Sequence, residues 1–202
     1  MSFQDILIDK QLNIDTEHRS EKYSNDESFP YEPTPYSVLQ RLMDNEIIHD
    51  KSHVIDFGSG MGRACIFFAQ KTGCRCTGIE AVDEFYEAAN NNISDDNVLV
   101  RFVHSTVENY VIDDDADIMY FFNPFSETVL AKVMKNIVDS YYRNPRYIQL
   151  LFYYPSDEYI SLLSRMSEIS FYDEIDCMDL FDEETNRNRV MIWTMGEVYM
   201  TV

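Results

Sequence analysis

The chain has 202 residues, 45% hydrophobic and 14% aromatic, enough for one core of five or more strands with covering helices but not for two full domains. That apolar content excludes wholesale disorder. With 36 acidic against 16 basic side chains the formal charge is −20, which repels a polyphosphate backbone, and no run of Lys/Arg supplies a local basic patch.

The charge suits basic partners and argues against nucleic acid. No stretch reaches the ~18 apolar residues of a membrane span. The opening MSFQDILIDKQLNIDTEHRS lacks the basic segment, apolar run and cleavage site of a targeting peptide. A soluble, cytoplasmic protein without membrane contact is expected. Cys65, Cys74, Cys76 and Cys177 lie in or beside apolar stretches, and Cys74-Arg75-Cys76 is too tightly spaced to clamp a zinc. They read as reduced, packed thiols, and no metal site is expected.

Residues 1–30 are polar and weakly periodic apart from Ile6-Leu7-Ile8, and read as an N-terminal arm or lid before a domain spanning 31–202. PYEPTPYSVLQRLMDNEII then predicts a helix, with Thr34 as cap and Pro35 at the first position. Val38, Leu39, Leu42, Met43 and Ile47 fall on one side of it, facing the core. From His53 strands and helices alternate: HVIDF, RACIFFAQK, CRCTGIE, DEFYEAANNN, NVLVRFVH, ADIMYFFN, ETVLAKVMKNIVDSYY, RYIQLLFYY and SDEYISLLSRM. EISFYDEIDCM and RVMIWTM follow as two strands joined by the polar LFDEETNRN. Continuous apolar strands separated by amphipathic helices predict an α/β, doubly wound, mainly parallel seven-stranded sheet closed by a C-terminal antiparallel hairpin.

The chemistry concentrates in VIDFGSGMGRACIFFAQ. In such sheets ligands bind beyond the carboxyl ends of the strands, where Gly58, Gly60 and Gly62 allow close approach to the backbone. The spacing is Gly-x-Gly-x-Gly, and Arg63 stands where a dinucleotide fingerprint has its third glycine, which weakens a pyrophosphate reading. Asp56 places an anion at the strand end, suited to an ammonium-bearing ligand. Glu80 ends the second strand, 20 residues after Gly60, where a carboxylate can accept both hydroxyls of a ribose.

With glycine loop and ribose acid together, the chain resembles the class I S-adenosylmethionine-dependent methyltransferases over roughly residues 31–200. The resemblance implies their Rossmann-like fold, S-adenosyl-L-methionine as cofactor and methyl transfer as activity. After the third strand, FVHSTVENY puts Ser105 and Thr106 at the turn where such enzymes often bind adenine through an acidic or amide residue. A purely structural turn is the alternative. FPYEPTPYSVLQRL is similar to the loop before the first helix in the non-SET lysine methyltransferases. This implies Tyr31 and Thr34 near the cofactor's amino-acid end, with a helix cap and a core tyrosine as the alternative.

The fourth strand ends in MYFFNPFSE. Asn123-Pro124-Phe125 resembles the turn of the amino-group methyltransferases, and implies that these residues hold the acceptor nitrogen; a Pro-terminated strand with a buried Phe is the alternative. Phe121, Phe122, Tyr153 and Tyr154 are expected in the core, as strands of a covered sheet need such residues. The expected acceptor is a nitrogen nucleophile on a basic protein, such as lysine, or on a small-molecule amine. An acidic, non-catalytic interaction domain on the same scaffold is the competing possibility.

Overall fold

The computed structural model describes residues 2–17, 31–93, 98–182 and 185–197. Among these, seven strands form one sheet: β1 (His53–Phe57), β2 (Arg75–Glu80), β3 (Val100–His104), β4 (Ile118–Phe122), β5 (Ile148–Tyr153), β6 (Ser170–Asp176) and β7 (Arg189–Met195). The order is β3-β2-β1-β4-β5-β7-β6. The first five strands are parallel, and β7 runs antiparallel between β5 and β6. This is the expected doubly wound sheet with its terminal hairpin. Residues 183–184 of the expected hairpin connection lie outside the described residues.

Order reverses between β1 and β4, so the carboxyl ends of these two strands flank a topological switch point, where open α/β sheets bind ligands. Every residue of β1 is buried, as in a strand covered on both faces. Phe57, Phe121 and Phe152 stack across β1, β4 and β5 at centroid distances of 4.7 and 4.6 Å, which pins the register of the central strands. The helices α3 (Arg63–Thr72), α4 (Asp83–Asn91), α5 (Glu127–Arg143) and α6 (Asp157–Leu163) follow the alternation read from sequence. No helix among the described residues is long and apolar enough to cross a membrane.

Two findings near the N-terminus differ from the sequence reading. Helix α2 (Tyr36–Asp44) begins one residue later than predicted, and Thr34 does not cap it. Its hydroxyl instead hydrogen-bonds the Tyr120 hydroxyl at 2.9 Å, and Pro35 occupies the cap position. The expected arm contains a docked helix, α1 (Phe3–Leu12), started by a capping box between Ser2 and Asp5 and ended by Asn13 in the left-handed region. Its buried residues are acidic, Asp5 and Asp9, and beside them Ile8 and Leu12 pack partly buried against the core, so the docked face is mixed rather than an apolar stripe. Residues 18–30 of the arm or lid lie outside the described residues.

Candidate active site

A cleft of about 1650 Å³ opens at the carboxyl ends of β1, β2, β4 and β5. Asp56 and Gly58-Ser59 reach it from β1 and the turn behind it, Glu80-Ala81-Val82 from β2, and Thr106-Val107 from the turn after β3. Tyr120, Phe122 and Asn123-Pro124-Phe125 enter from β4, Tyr153 and Tyr154 from β5, and Tyr31-Glu32-Pro33-Thr34 from the segment before α2. The geometry thus gathers nine of the twelve candidate residues into one space: Tyr31, Thr34, Asp56, Gly58, Glu80, Thr106, Asn123, Pro124 and Phe125.

Gly60, Gly62 and Ser105 do not line the cleft. The Ser105 hydroxyl donates to the Thr106 carbonyl at 2.9 Å, and its backbone N–H bonds the Glu80 carbonyl. The three motif glycines have φ of +81°, +53° and +87°, a region costly for any side chain. The close approach at Gly60 is made by this chain, because a Cβ there would collide with the Tyr31 ring. At Gly58 it would stand 2.8 Å from Pro124 Cβ, so the glycine turn and the Asn-Pro-Phe turn are packed against each other. In this structure the glycine loop holds the two turns together rather than lying bare.

Glu80 is buried and braced. Oε2 accepts from Gly60 N at 2.8 Å, and Oε1 from Ala81 N and Val82 N, both at 2.8 Å. Burial raises its pKa, and the hydrogen bonds from Val82, Gly60 and Ala81 oppose the rise. The acid is therefore fixed in direction while Oε2, which accepts only once, keeps a lone pair for a hydroxyl donor. The Tyr31 ring lies 4.8 Å from that of Phe85, tilted by 38°, and burial raises its phenol.

Asp56 is pushed up to about 7, first by burial and then by the charge of Glu80; the Cys65 thiol, 3.8 Å from Oδ2, pulls the other way. Its folded value lies above the ordinary 3.8, so the folded state holds the extra proton between those two values. The group's contribution to stability is therefore full at the acid end and is lost as pH rises through about 7. Asp56→Asn should melt like the wild type near the acid end of this window and grow steadily more stable than it toward higher pH. Thermal melts over the range check this, and an offset that stays constant with pH would refute it.

Two cleft-lining residues each hold a buried polar atom without a hydrogen-bond partner among the described residues, Ser59 Oγ and Asn123 Oδ1. Asn123 sits at φ +39°, a strained position that asparagine tolerates better than most residues. The turn is held from behind, since the Tyr159 hydroxyl donates to the Phe125 carbonyl at 2.5 Å. Of the four aromatics expected in the core, Phe121 and Tyr153 are buried in it, while Phe122 and Tyr154 are partly buried. Phe122, Tyr153 and Tyr154 line the cleft, because they stand at the carboxyl ends of their strands, where the covering helices give way to the ligand side.

Sequence reasoning passed over Arg63 except as a departure from a fingerprint. Its buried guanidinium pairs with Asp9 at 3.1 Å, donates from Nε to Thr16 Oγ1 at 2.7 Å and from Nη1 to the Thr34 carbonyl, and covers the Tyr36 ring at 4.6 Å. Asp9 also accepts from the Tyr36 hydroxyl at 2.5 Å. Arg63 thereby ties α1 and the segment before α2 to the start of α3, directly behind the glycine turn. The only sequence signal was an arginine at the mouth of a helix that the pattern otherwise buries.

Comparison with known proteins agrees with this architecture. Residues 54–143 match the family described as Methyltransferase domain. A phosphoethanolamine N-methyltransferase of Plasmodium falciparum is 22% identical over 83 residues, 41% of this chain; the matched part spans 31% of that protein's length. Among solved structures, an RNA methyltransferase from Salinibacter ruber in complex with S-adenosyl-L-homocysteine aligns with a TM-score of 0.59. It shows 20% identity over 82% of this chain and 95% of its own. The human methyltransferase 10 domain containing protein aligns with a TM-score of 0.60 and 13% identity over 95% and 93% of the two chains. An RNA methyltransferase among the neighbours does not fit the expectation, drawn from charge, that nucleic acid is an unlikely partner. Residues 54–143 are thus similar to a methyltransferase domain, and the chain has the seven-stranded fold of these solved methyltransferases.

Proposed function

We propose that this protein transfers a methyl group to the nitrogen of a cationic substrate, a basic protein side chain such as lysine or a small-molecule amine. The observation that carries this reading is Asn123 Oδ1, a buried acceptor without a partner on the cleft wall. A buried carbonyl left unpaired costs about 1–3 kcal/mol, so an N–H donor arriving from a ligand recovers what the fold gives up. The lining adds charge: among the described residues, nine carboxylate side chains face two guanidinium groups, Arg63 and Arg187, and Arg63 is already paired with Asp9. Such a wall steers cations inward and opposes a phosphodiester.

S-adenosylmethionine fits the other half of the cleft. Asp56 would receive its ammonium group, Glu80 its ribose hydroxyls, and Thr106 would stand beside adenine, with Tyr31 and Thr34 toward the amino-acid end and Gly58, Gly60 and Gly62 shaping the turn. The unpartnered Ser59 Oγ supports a polar ligand here. Bound there, the cofactor supplies an electrophilic methyl group on a sulfonium. The cationic amine loses one proton to water before it reacts as a neutral nucleophile; the protein's part is then alignment, in which Asn123 orients the nucleophile and Phe125 and Phe122 wall it.

Two measurements test the reading. Calorimetry with S-adenosylhomocysteine should show binding that Glu80→Ala weakens by tenfold or more; absence of binding by the wild type would favour a non-catalytic acidic interaction domain. A radiolabelled methyl-transfer screen over protein, RNA/DNA and metabolite fractions should then label protein or amine metabolites. Label confined to RNA or DNA would overturn the substrate assignment and side with the RNA methyltransferase neighbours.

A further inference from the structure

The polar connection before β7 carries an arginine whose partners differ from those of the other arginines. Among the described residues every arginine except Arg146 and Arg187 is ion-paired with a carboxylate. Arg146 compensates in full. It precedes β5, away from the cleft, and all its N–H bonds go to the carbonyls of Asp113, Ala116, Ser140 and Asn144 and to the Ser140 hydroxyl. Arg187 lines the cleft and does not: Nε donates to the Pro155 carbonyl at 3.2 Å and Nη2 to the Tyr154 carbonyl at 3.1 Å, while Nη1 has no partner among the described residues. Its guanidinium lies over the Tyr154 ring at 4.2 Å, so the half-used fork is held in place.

The open fork does not come from a shortage of acids. The chain carries 36 acidic side chains against 16 basic ones, and Glu158 of α6 lies within electrostatic reach of Arg187 without forming an ion pair with it. A planar guanidinium with free N–H bonds binds a carboxylate or phosphate through parallel hydrogen bonds. Thr185 and Asn188 line the same wall and add a hydroxyl and an amide, both able to donate to an anion.

We infer that Arg187 forms an anion subsite on the cleft wall, and that the methyl acceptor is a small amine carrying one carboxylate or phosphate group. The subsite stands on Arg187; that its ligand is an amine rests on the nitrogen-acceptor reading above. The surrounding carboxylates narrow the choice further. They draw an ammonium end inward and repel a polyanion, so the single open guanidinium serves one anionic group rather than a nucleic-acid strand. Of the two acceptors named above, this selects the small-molecule amine over a protein lysine.

Calorimetry on the full chain with S-adenosylhomocysteine present tests this with β-alanine, γ-aminobutyrate and aminopropylphosphonate, against aminobutanol, which has the amine and no anion. At least one anionic amine should bind about tenfold or more tightly than aminobutanol, the size of a charge-assisted contact. Arg187→Gln should remove that preference and leave aminobutanol affinity within about twofold. Arg187→Lys, which keeps the charge and loses the fork, should fall between. Acetate should compete with the preferred amine in the wild type, a check that needs no variant.

Absence of any preference in the wild type would overturn the inference. So would an Arg187→Gln protein that melts lower and binds every probe more weakly by the same factor, since a mere staple for the Tyr154 and Pro155 carbonyls predicts that result. Equal radiolabelled methyl transfer to the nitrogen of aminobutanol and of the anionic amines would also overturn it, and leave the nitrogen-acceptor reading intact. Anion preference with no label on nitrogen in any amine would instead strike that reading, and with it the amine half of this inference.

Discussion

Asn123→Ala should lower kcat by about 10²-fold or more on the identified acceptor while leaving S-adenosylhomocysteine affinity within about twofold. A 10²-fold loss is about 2.7 kcal/mol of transition-state stabilisation, at the upper end for one hydrogen bond to a charged group. The size is expected because nitrogen becomes positive only as the methyl group arrives. The bond to Asn123 Oδ1 is therefore stronger in the transition state than in the ground state, and its loss acts on turnover rather than on binding. Backbone strain complicates the alanine variant, since residue 123 sits at φ +39°. Asn123→Gly separates the effects: it adopts that conformation freely and lacks the carbonyl, so it should be as slow as Asn123→Ala. Asn123→Asp keeps an acceptor and should retain more activity than either. If the glycine variant turns over like the wild type, the Asn-Pro-Phe turn is a structural corner and the acceptor is held elsewhere.

Most of the sheet was legible because each strand is a short apolar run bounded by turn residues, and the helices between them are amphipathic. The polar connection ahead of β7 marked an antiparallel hairpin at the sheet edge, but not that β7 inserts between β5 and β6. The glycine turn, Asp56 and Glu80 were legible from spacing, and they do converge on the switch point. What escaped were contacts between distant residues through polar atoms. Helix α1 docks through Asp5 and Asp9 with Ile8 and Leu12 only partly buried beside them, so its apolar stripe is weak and the Ser2-x-x-Asp5 capping pattern was its clearest local mark. The partner of Arg63 lies 54 residues upstream, a pairing that no local pattern encodes. Phe122 and Tyr154, placed in the core by composition, are only partly buried and line the cleft, where the rule that ligands meet a parallel sheet at its carboxyl ends could have put them.

The Asp9–Arg63 pair is the second place where a large effect is expected. Arg63→Ala or Asp9→Ala should each cost about 3–5 kcal/mol, because either leaves an uncompensated charge where both side chains are buried. The partners make the loss worse: without Asp9 the Tyr36 hydroxyl and the Thr16 N–H and hydroxyl lose their acceptor, and without Arg63 the Thr34 carbonyl loses a donor. The double variant should cost less than the sum of the two singles by at least about 1 kcal/mol, since the second change removes a charge already stranded by the first. Deleting residues 1–17 removes Asp9 and Thr16 together, so the truncated protein should unfold at least as easily as Asp9→Ala. Urea unfolding followed by fluorescence and far-ultraviolet circular dichroism gives these differences, provided the two probes coincide. Because Arg63 opens α3 immediately behind the glycine turn, the single variants should also bind S-adenosylhomocysteine more weakly under conditions where they remain folded. A truncated protein that unfolds at the same urea concentration as the full chain would show that α1 rests on the domain without supporting it, and would restore the reading of the first residues as a detachable arm.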